Sequence, residues 1–206
     1  MLTIDERVQN TSRERIAFMW GHHPAFGGAL LAPGCKVWTS ARKFIAQGDH
    51  PELNKRRLRP GGVFDWPVGK GPDGEPVDYS VIPETPPGGA SEVAYLTEFD
   101  EGWYAVTNPE RKIGFAMRWD KEVFPYLWFW QELRGGKDYP WWGEVETFAL
   151  EPWTSYPTEG IQAAIANGTA RYLNGGEAIK TRLLACAFDG VQAVDRVTPE
   201  GKVVGR

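Results

Sequence analysis

Glycine and proline punctuate this chain too often for long regular elements. There are 24 Gly and 16 Pro among its 206 residues. Each Pro removes a ladder donor, and each Gly frees the backbone to turn. The pieces between them are short, which suits strands better than helices, and the pattern predicts an all-β chain of about a dozen strands. The length fits one sandwich-sized domain or two small ones, and with no internal repeat and no clear linker a single domain over residues 1–206 is expected.

Alternation locates the strands. Leu2 to Arg7 alternates apolar and polar residues, Asn10-Thr11-Ser12 reads as a turn, and Arg15 to Trp20 reads as the returning strand of a hairpin. Cys35 to Thr39 is a short strand. Gln47 to Gly62 is polar and reads as loop. Its basic run Lys55-Arg56-Arg57-Leu58-Arg59 reads as solvated, and Gly69 to Gly89 shows no regular element. Glu92 to Phe99, Trp103 to Thr107, Ile113 to Trp119, Tyr126 to Gln131 and Val145 to Leu150 follow as strands. Thr158 to Ala170 is the best helix candidate, with an N-cap residue at its start and Asn-Gly near its end. Ala178 to Phe188 and Gln192 to Val197 close the chain.

Two stretches carry chemistry. Phe148 to Leu150 ends a strand, and Glu151 follows at the seam before Pro152, which is expected to stop regular pairing. Large rings lie near Glu151 in sequence at Trp141, Trp142 and Trp153. A carboxylate among them loses water, and its pKa rises toward the range of a general base. The other stretch is Trp20-Gly21-His22-His23-Pro24-Ala25-Phe26, where a histidine sits at a strand end. His titrates near neutrality, so Glu151 and a histidine form a natural acid/base pair. A metal site built on His22, His23 and His50 is disfavoured, because adjacent strand residues point to opposite faces. Ten Trp exceed what a core of this size needs. They either fill the sandwich or form flat platforms for a ligand with apolar faces and polar edges, such as a sugar.

These stretches resemble the aldose 1-epimerase (galactose mutarotase-like) family. Gly21/His22-His23-Pro24-Ala25-Phe26 is similar to the family's Asn-His-x-Tyr-Phe, with His23 on its histidine and Phe26 on its aromatic residue. Leu150-Glu151-Pro152 is similar to the segment bearing its catalytic glutamate. Gly61-Gly62-Val63-Phe64-Asp65-Trp66, Pro125-Tyr126-Leu127-Trp128-Phe129-Trp130 and Leu173-Asn174-Gly175-Gly176-Glu177 follow in the family's order. The resemblance implies a galactose mutarotase-like β-sandwich (a supersandwich), shortened at the N-terminus. It implies Glu151 as base and His23 as acid in the interconversion of sugar anomers, with no cofactor. It places His22, Phe26, Asp65, Glu92, Trp128, Trp130 and Trp153 around an aldohexose. The Tyr of the His motif is Ala25 here, and His22 stands where the family has Asn. The rival is a non-catalytic carbohydrate-binding sandwich.

The net charge of −4 favours neither nucleic acid nor an anionic membrane as partner. Cys35 and Cys186 make no disulfide framework, so reduced thiols and a cytoplasmic location are expected. A shortened sandwich is expected to leave a sheet edge exposed, and so to self-associate through it, bind a partner or be marginally stable as a monomer.

Overall fold

The computed structural model describes residues 1–50, 53 and 55–206. In chain order the strands begin with β1 (Leu2–Gln9), β2 (Ile16–Phe18), β3 (Ala25–Phe26), β4 (Lys36–Thr39), β5 (Lys43–Ala46) and β6 (Val63–Asp65). Next come β7 (Val68–Lys70), β8 (Pro76–Asp78), β9 (Ala90–Thr97), β10 (Trp103–Asn108), β11 (Ile113–Arg118), β12 (Tyr126–Leu133) and β13 (Glu146–Trp153). The helix α1 (Ile161–Ala166) follows, then β14 (Arg171–Leu173), β15 (Ala178–Asp189), β16 (Val194–Val197) and β17 (Val203–Gly205).

Two antiparallel sheets carry the architecture. One is five-stranded in the order β1-β15-β11-β10-β4, the other six-stranded in the order β3-β13-β12-β9-β5-β6. The core lies between them. Val37, Tyr104, Val106, Met117 and Leu183 from the first sheet meet Phe44, Leu96, Leu127, Phe129, Phe148 and Leu150 from the second. Side chains alternate along a strand, so the sequence neighbours of these residues on the six-stranded sheet point the other way. Val93, Tyr95 and Trp128 form a second apolar cluster there, joined by Trp130 and Trp153. The sheet is therefore covered on its outer face too, and that face holds the site. The hairpin of β16 and β17 covers part of the other sheet, where Val194 and Val197 pack on Trp103 and Ala105.

Several expectations need correction. The Leu2 to Trp20 stretch is not a hairpin. β1 pairs with β15 and β2 with β14, so both partners lie far off in sequence, and local turn chemistry cannot reveal them. Asn10 turns the chain there instead, its side-chain amide donating to the Glu14 and Leu173 carbonyls at 2.7 and 3.0 Å. β5 stands where no strand was expected, and β7 and β8 form a small hairpin that begins at Val68 and runs into the Gly69 to Gly89 stretch. In the polar stretch from Gln47 to Gly62, Pro51, Glu52 and Asn54 lie outside the described residues.

Pro152 does not end its strand either. β13 runs on to Trp153, with Pro152 opposite Leu127 of β12. The Pro152 carbonyl accepts from His22 N at 3.0 Å. The N and C=O of one strand residue face the same side, so the missing donor is turned away from β12 and that ladder loses nothing. The helix is shorter than expected. It starts after Gly160, with no side-chain cap, and Asn167 ends it. Thr158 is drawn off to the outer face of the sheet, its N–H donating to the Tyr95 hydroxyl at 3.1 Å.

Candidate active site

The site grows from the alternation of β12 and β13. Phe148 and Leu150 turn into the core, so Ala149, Glu151 and Trp153 turn outward. Register sets Trp128 directly opposite Glu151. Trp128 and Trp153 stack, with ring centroids 4.2 Å apart and planes 11° apart. The Trp128 indole donates to the Ser155 carbonyl at 2.9 Å, which fixes its ring. Behind Trp153 lies Gly21, where a Cβ would come within 2.2 Å of the indole. Only a residue without a side chain lets the ring lie there.

His23 reaches Glu151 through the main chain. β3 pairs with β13, and the residues before β3 continue alongside it. His22 N donates to the Pro152 carbonyl, and Leu150 N donates to the Pro24 carbonyl at 3.1 Å. His23 lies between these two bonds, and its Nδ1 stands 2.8 Å from Glu151 Oε2. The Trp153 indole donates to the same oxygen at 3.0 Å. Among the described residues, no protein group donates to Glu151 Oε1 and none engages His23 Nε2. Both atoms are left for a ligand.

The two partners differ in their access to water. The Glu151 side chain is 4% exposed and that of His23 is 56% exposed. Burial pushes the Glu151 carboxyl above its ordinary range, while the Trp153 indole and His23 pull it part of the way back. The result is a desolvated carboxylate in contact with a solvent-reaching imidazole, a base and an acid side by side.

Both groups line a cavity of about 700 Å³. Trp128, Trp130, Trp141 and Trp153 wall it. Ser91, Val93, His50, Glu132, Lys137 and Asp138 also line it. The His23 ring sits 5.7 Å from Trp130, and Trp130 sits 5.6 Å from Trp141.

No protein-family model matches the chain, and no curated protein matches it. Solved structures do. A putative aldose 1-epimerase from Klebsiella pneumoniae superposes with a TM-score of 0.61 at 15% identity, over 90% of this chain and 42% of that one. A putative aldose 1-epimerase from Escherichia coli K12 gives 0.56 at 16%, over 91% and 56%. A galactose mutarotase-like protein from Lactobacillus casei gives 0.51 at 17%, over 90% and 58%. The fold is galactose mutarotase-like. The chain spans between 42% and 58% of the length of these three structures.

Within this galactose mutarotase-like fold, His23, Glu151, Trp128, Trp130 and Trp153 share the cavity. Four residues expected around the sugar do not reach it. His22 turns away from His23, with Nε2 2.9 Å from Glu6 Oε2 and its ring edge-on to Phe124. Phe26 is core, stacked on Phe148 at 5.0 Å. Asp65 is exposed on β6 and pairs with Lys43 at 2.6 Å. Glu92 is one residue out of phase with Ser91 and Val93, so it faces inward, where Arg57 Nε stands 2.8 Å from it. Glu132 was missed, although it follows Trp128 and Trp130 at the same two-residue spacing. Among the described residues, no three His, Cys, Asp or Glu side chains cluster to hold a metal ion. No described helix is long and apolar enough to cross a membrane.

Proposed function

We propose that this chain interconverts the anomers of an aldohexose by acid/base ring opening. The contact of Glu151 with His23 at 2.8 Å, in the lining of a tryptophan-walled cavity, carries the reading. The hydroxyl oxygen and ring oxygen of a cyclic aldose share one carbon. A base and an acid that serve both must therefore lie close together. Glu151, ionised, takes the proton of the anomeric hydroxyl through Oε1. His23, as imidazolium, gives its Nε2 proton to the ring oxygen. The bond from the anomeric carbon to the ring oxygen breaks and a carbonyl forms. Rotation of the carbonyl and the reverse transfers close the other anomer, and both side chains return to their starting states. The tryptophan faces cover the apolar faces of the sugar, and the polar rim takes its hydroxyls.

The test is polarimetry on freshly dissolved α-D-glucose and α-D-galactose, with wild type and Glu151→Gln. Faster decay of rotation with wild type, abolished in the variant, supports the proposal. Decay equal to that in buffer with a folded wild type rejects catalysis for that sugar. A non-catalytic sugar-binding role is the second reading. It is favoured by the stacked pair Trp128 and Trp153, a platform that needs no proton transfer. Sugar-dependent Trp fluorescence without any rate change would select it.

A further inference from the structure

The loop joining β12 to β13 is an internally hydrogen-bonded arm that carries unused aromatic surface. The buried Glu132 carboxylate anchors it, accepting from Gly135 N at 2.6 Å and Gly136 N at 2.9 Å. Its two sides are tied together by Gly143 N to the Gly136 carbonyl at 2.7 Å and Arg134 N to the Val145 carbonyl at 2.8 Å. At the root, a Cβ on Gly135 would come within 2.4 Å of the Ala90 backbone, so the arm is seated tightly on β9. The Asp138 carbonyl accepts from Trp141 N and Trp142 N, which closes the tip.

This ordered arm holds two large rings out in water. Tyr139 is 80% exposed and Trp142 63% exposed, with their centroids 6.0 Å apart. Tyr139 lies on the cavity rim, beyond Trp141. Adjacent exposed aromatic residues on a fixed support mark a contact surface rather than a packing accident. Tyr139 lines the same cavity as Trp128, Trp130, Trp141 and Trp153, so the exposed pair begins where the tryptophan-walled site ends. Asp138, beside them, makes no side-chain bond among the described residues, so its carboxylate is open to hydroxyl donors.

The size of the cavity agrees. At roughly the packing density of organic crystals, a hexose fills about 200 Å³, well under the 700 Å³ available. We infer that the site takes the reducing end of a glycan, with a second sugar ring lying on Tyr139 and Trp142. The inference rests on the sugar-site reading above and extends it from a monosaccharide to an oligosaccharide.

The test is a titration followed by calorimetry. Glucose and galactose are compared with cellotriose, maltotriose and β-1,4-galactotriose, using wild type and the double variant Tyr139→Ala, Trp142→Ala. The exposed positions make a folded variant the expected outcome, checked by its melting curve. Wild type should bind at least one trisaccharide about tenfold more tightly than its monosaccharide, and the variant should lose most of that ratio. A ratio near one in wild type, or a ratio unchanged in the variant, overturns the inference and leaves the single-ring site standing. Equal weakening of both ligands also overturns it, since the arm then serves only the inner site. Binding of no sugar at all overturns the sugar-site reading itself.

Discussion

Glu151 Oε2 accepts from two donors at once, His23 Nδ1 at 2.8 Å and the Trp153 indole at 3.0 Å. Among the described residues, no protein group donates to its other oxygen, which on the proposed reading takes the proton of the anomeric hydroxyl. Glu151→Gln keeps the shape but cannot take a proton. Anomer interconversion should fall about a hundredfold or more, with sugar affinity retained. The wild-type rate should also fall on the acid side with a midpoint above 4.5, the ordinary value for Glu, because burial raises the carboxyl. An acid midpoint below that value would mean that another group limits the rate.

The same shift has a consequence for stability. The folded-state pKa of Glu151 lies above the unfolded one. Its contribution to stability is therefore fully present below the unfolded pKa and is lost as pH rises through the folded pKa. At pH 7 the ionised carboxylate weakens the fold relative to a neutral isostere. Glu151→Gln should melt at the same temperature as wild type or higher, while losing activity. Calorimetry at pH 7 checks this, and a clear drop in Tm would show that the His23 contact outweighs the desolvation.

Gly21 and Trp153 form a second coupled pair. Gly21→Ala drives a methyl into the indole, since a Cβ there comes within 2.2 Å of it. The ring must move, and its bond to Glu151 goes with it. That bond lowers the Glu151 pKa, so its loss should shift the acid limb of the pH profile upward as the rate falls. Trp153→Phe, which keeps a ring but no N–H, should shift the limb in the same direction. A pH–rate profile that neither variant moves would remove Trp153 from the account.

Glu92 offers a contrast. It is buried in an ion pair with Arg57, whose side chain also donates to Gln131 at 2.9 Å. Removing one partner of such a pair typically costs about 3 kcal/mol or more. Glu92→Ala should lower stability by that order in urea unfolding. Its folded fraction should keep the rate of wild type, because the side chain points away from the cavity. A loss of rate without a loss of stability would return Glu92 to the site.

Strand parity explains what the sequence made legible. Trp128, Trp130, Glu151 and Trp153 were readable because side chains two apart on a strand share a face, and all four belong to the outer face. The same rule puts Glu92 and Phe26 on the inner face and Glu132 on the outer one, because the strand runs past Gln131 to Leu133. The motif likeness drew those inner residues to the sugar against their own parity. The pairing of β1 with β15 was illegible for another reason. Nothing in Asn10-Thr11-Ser12 distinguishes a hairpin turn from a loop that leaves one sheet, and Asn10 bonds Leu173, which no local pattern can announce. The placement of His23 depends on two main-chain bonds to β13 that leave no trace in side-chain chemistry.

The most direct test of the paired Glu151 and His23 is exchange spectroscopy at anomeric equilibrium. The α and β anomeric protons of glucose and galactose are followed with wild type, Glu151→Gln and His23→Ala at neutral pH. Cross-peaks that grow with wild-type concentration, and that stay at the buffer rate in both variants, are the predicted result. Cross-peaks at the buffer rate with folded wild type that binds these sugars, or an enhancement that survives in both variants, would contradict it.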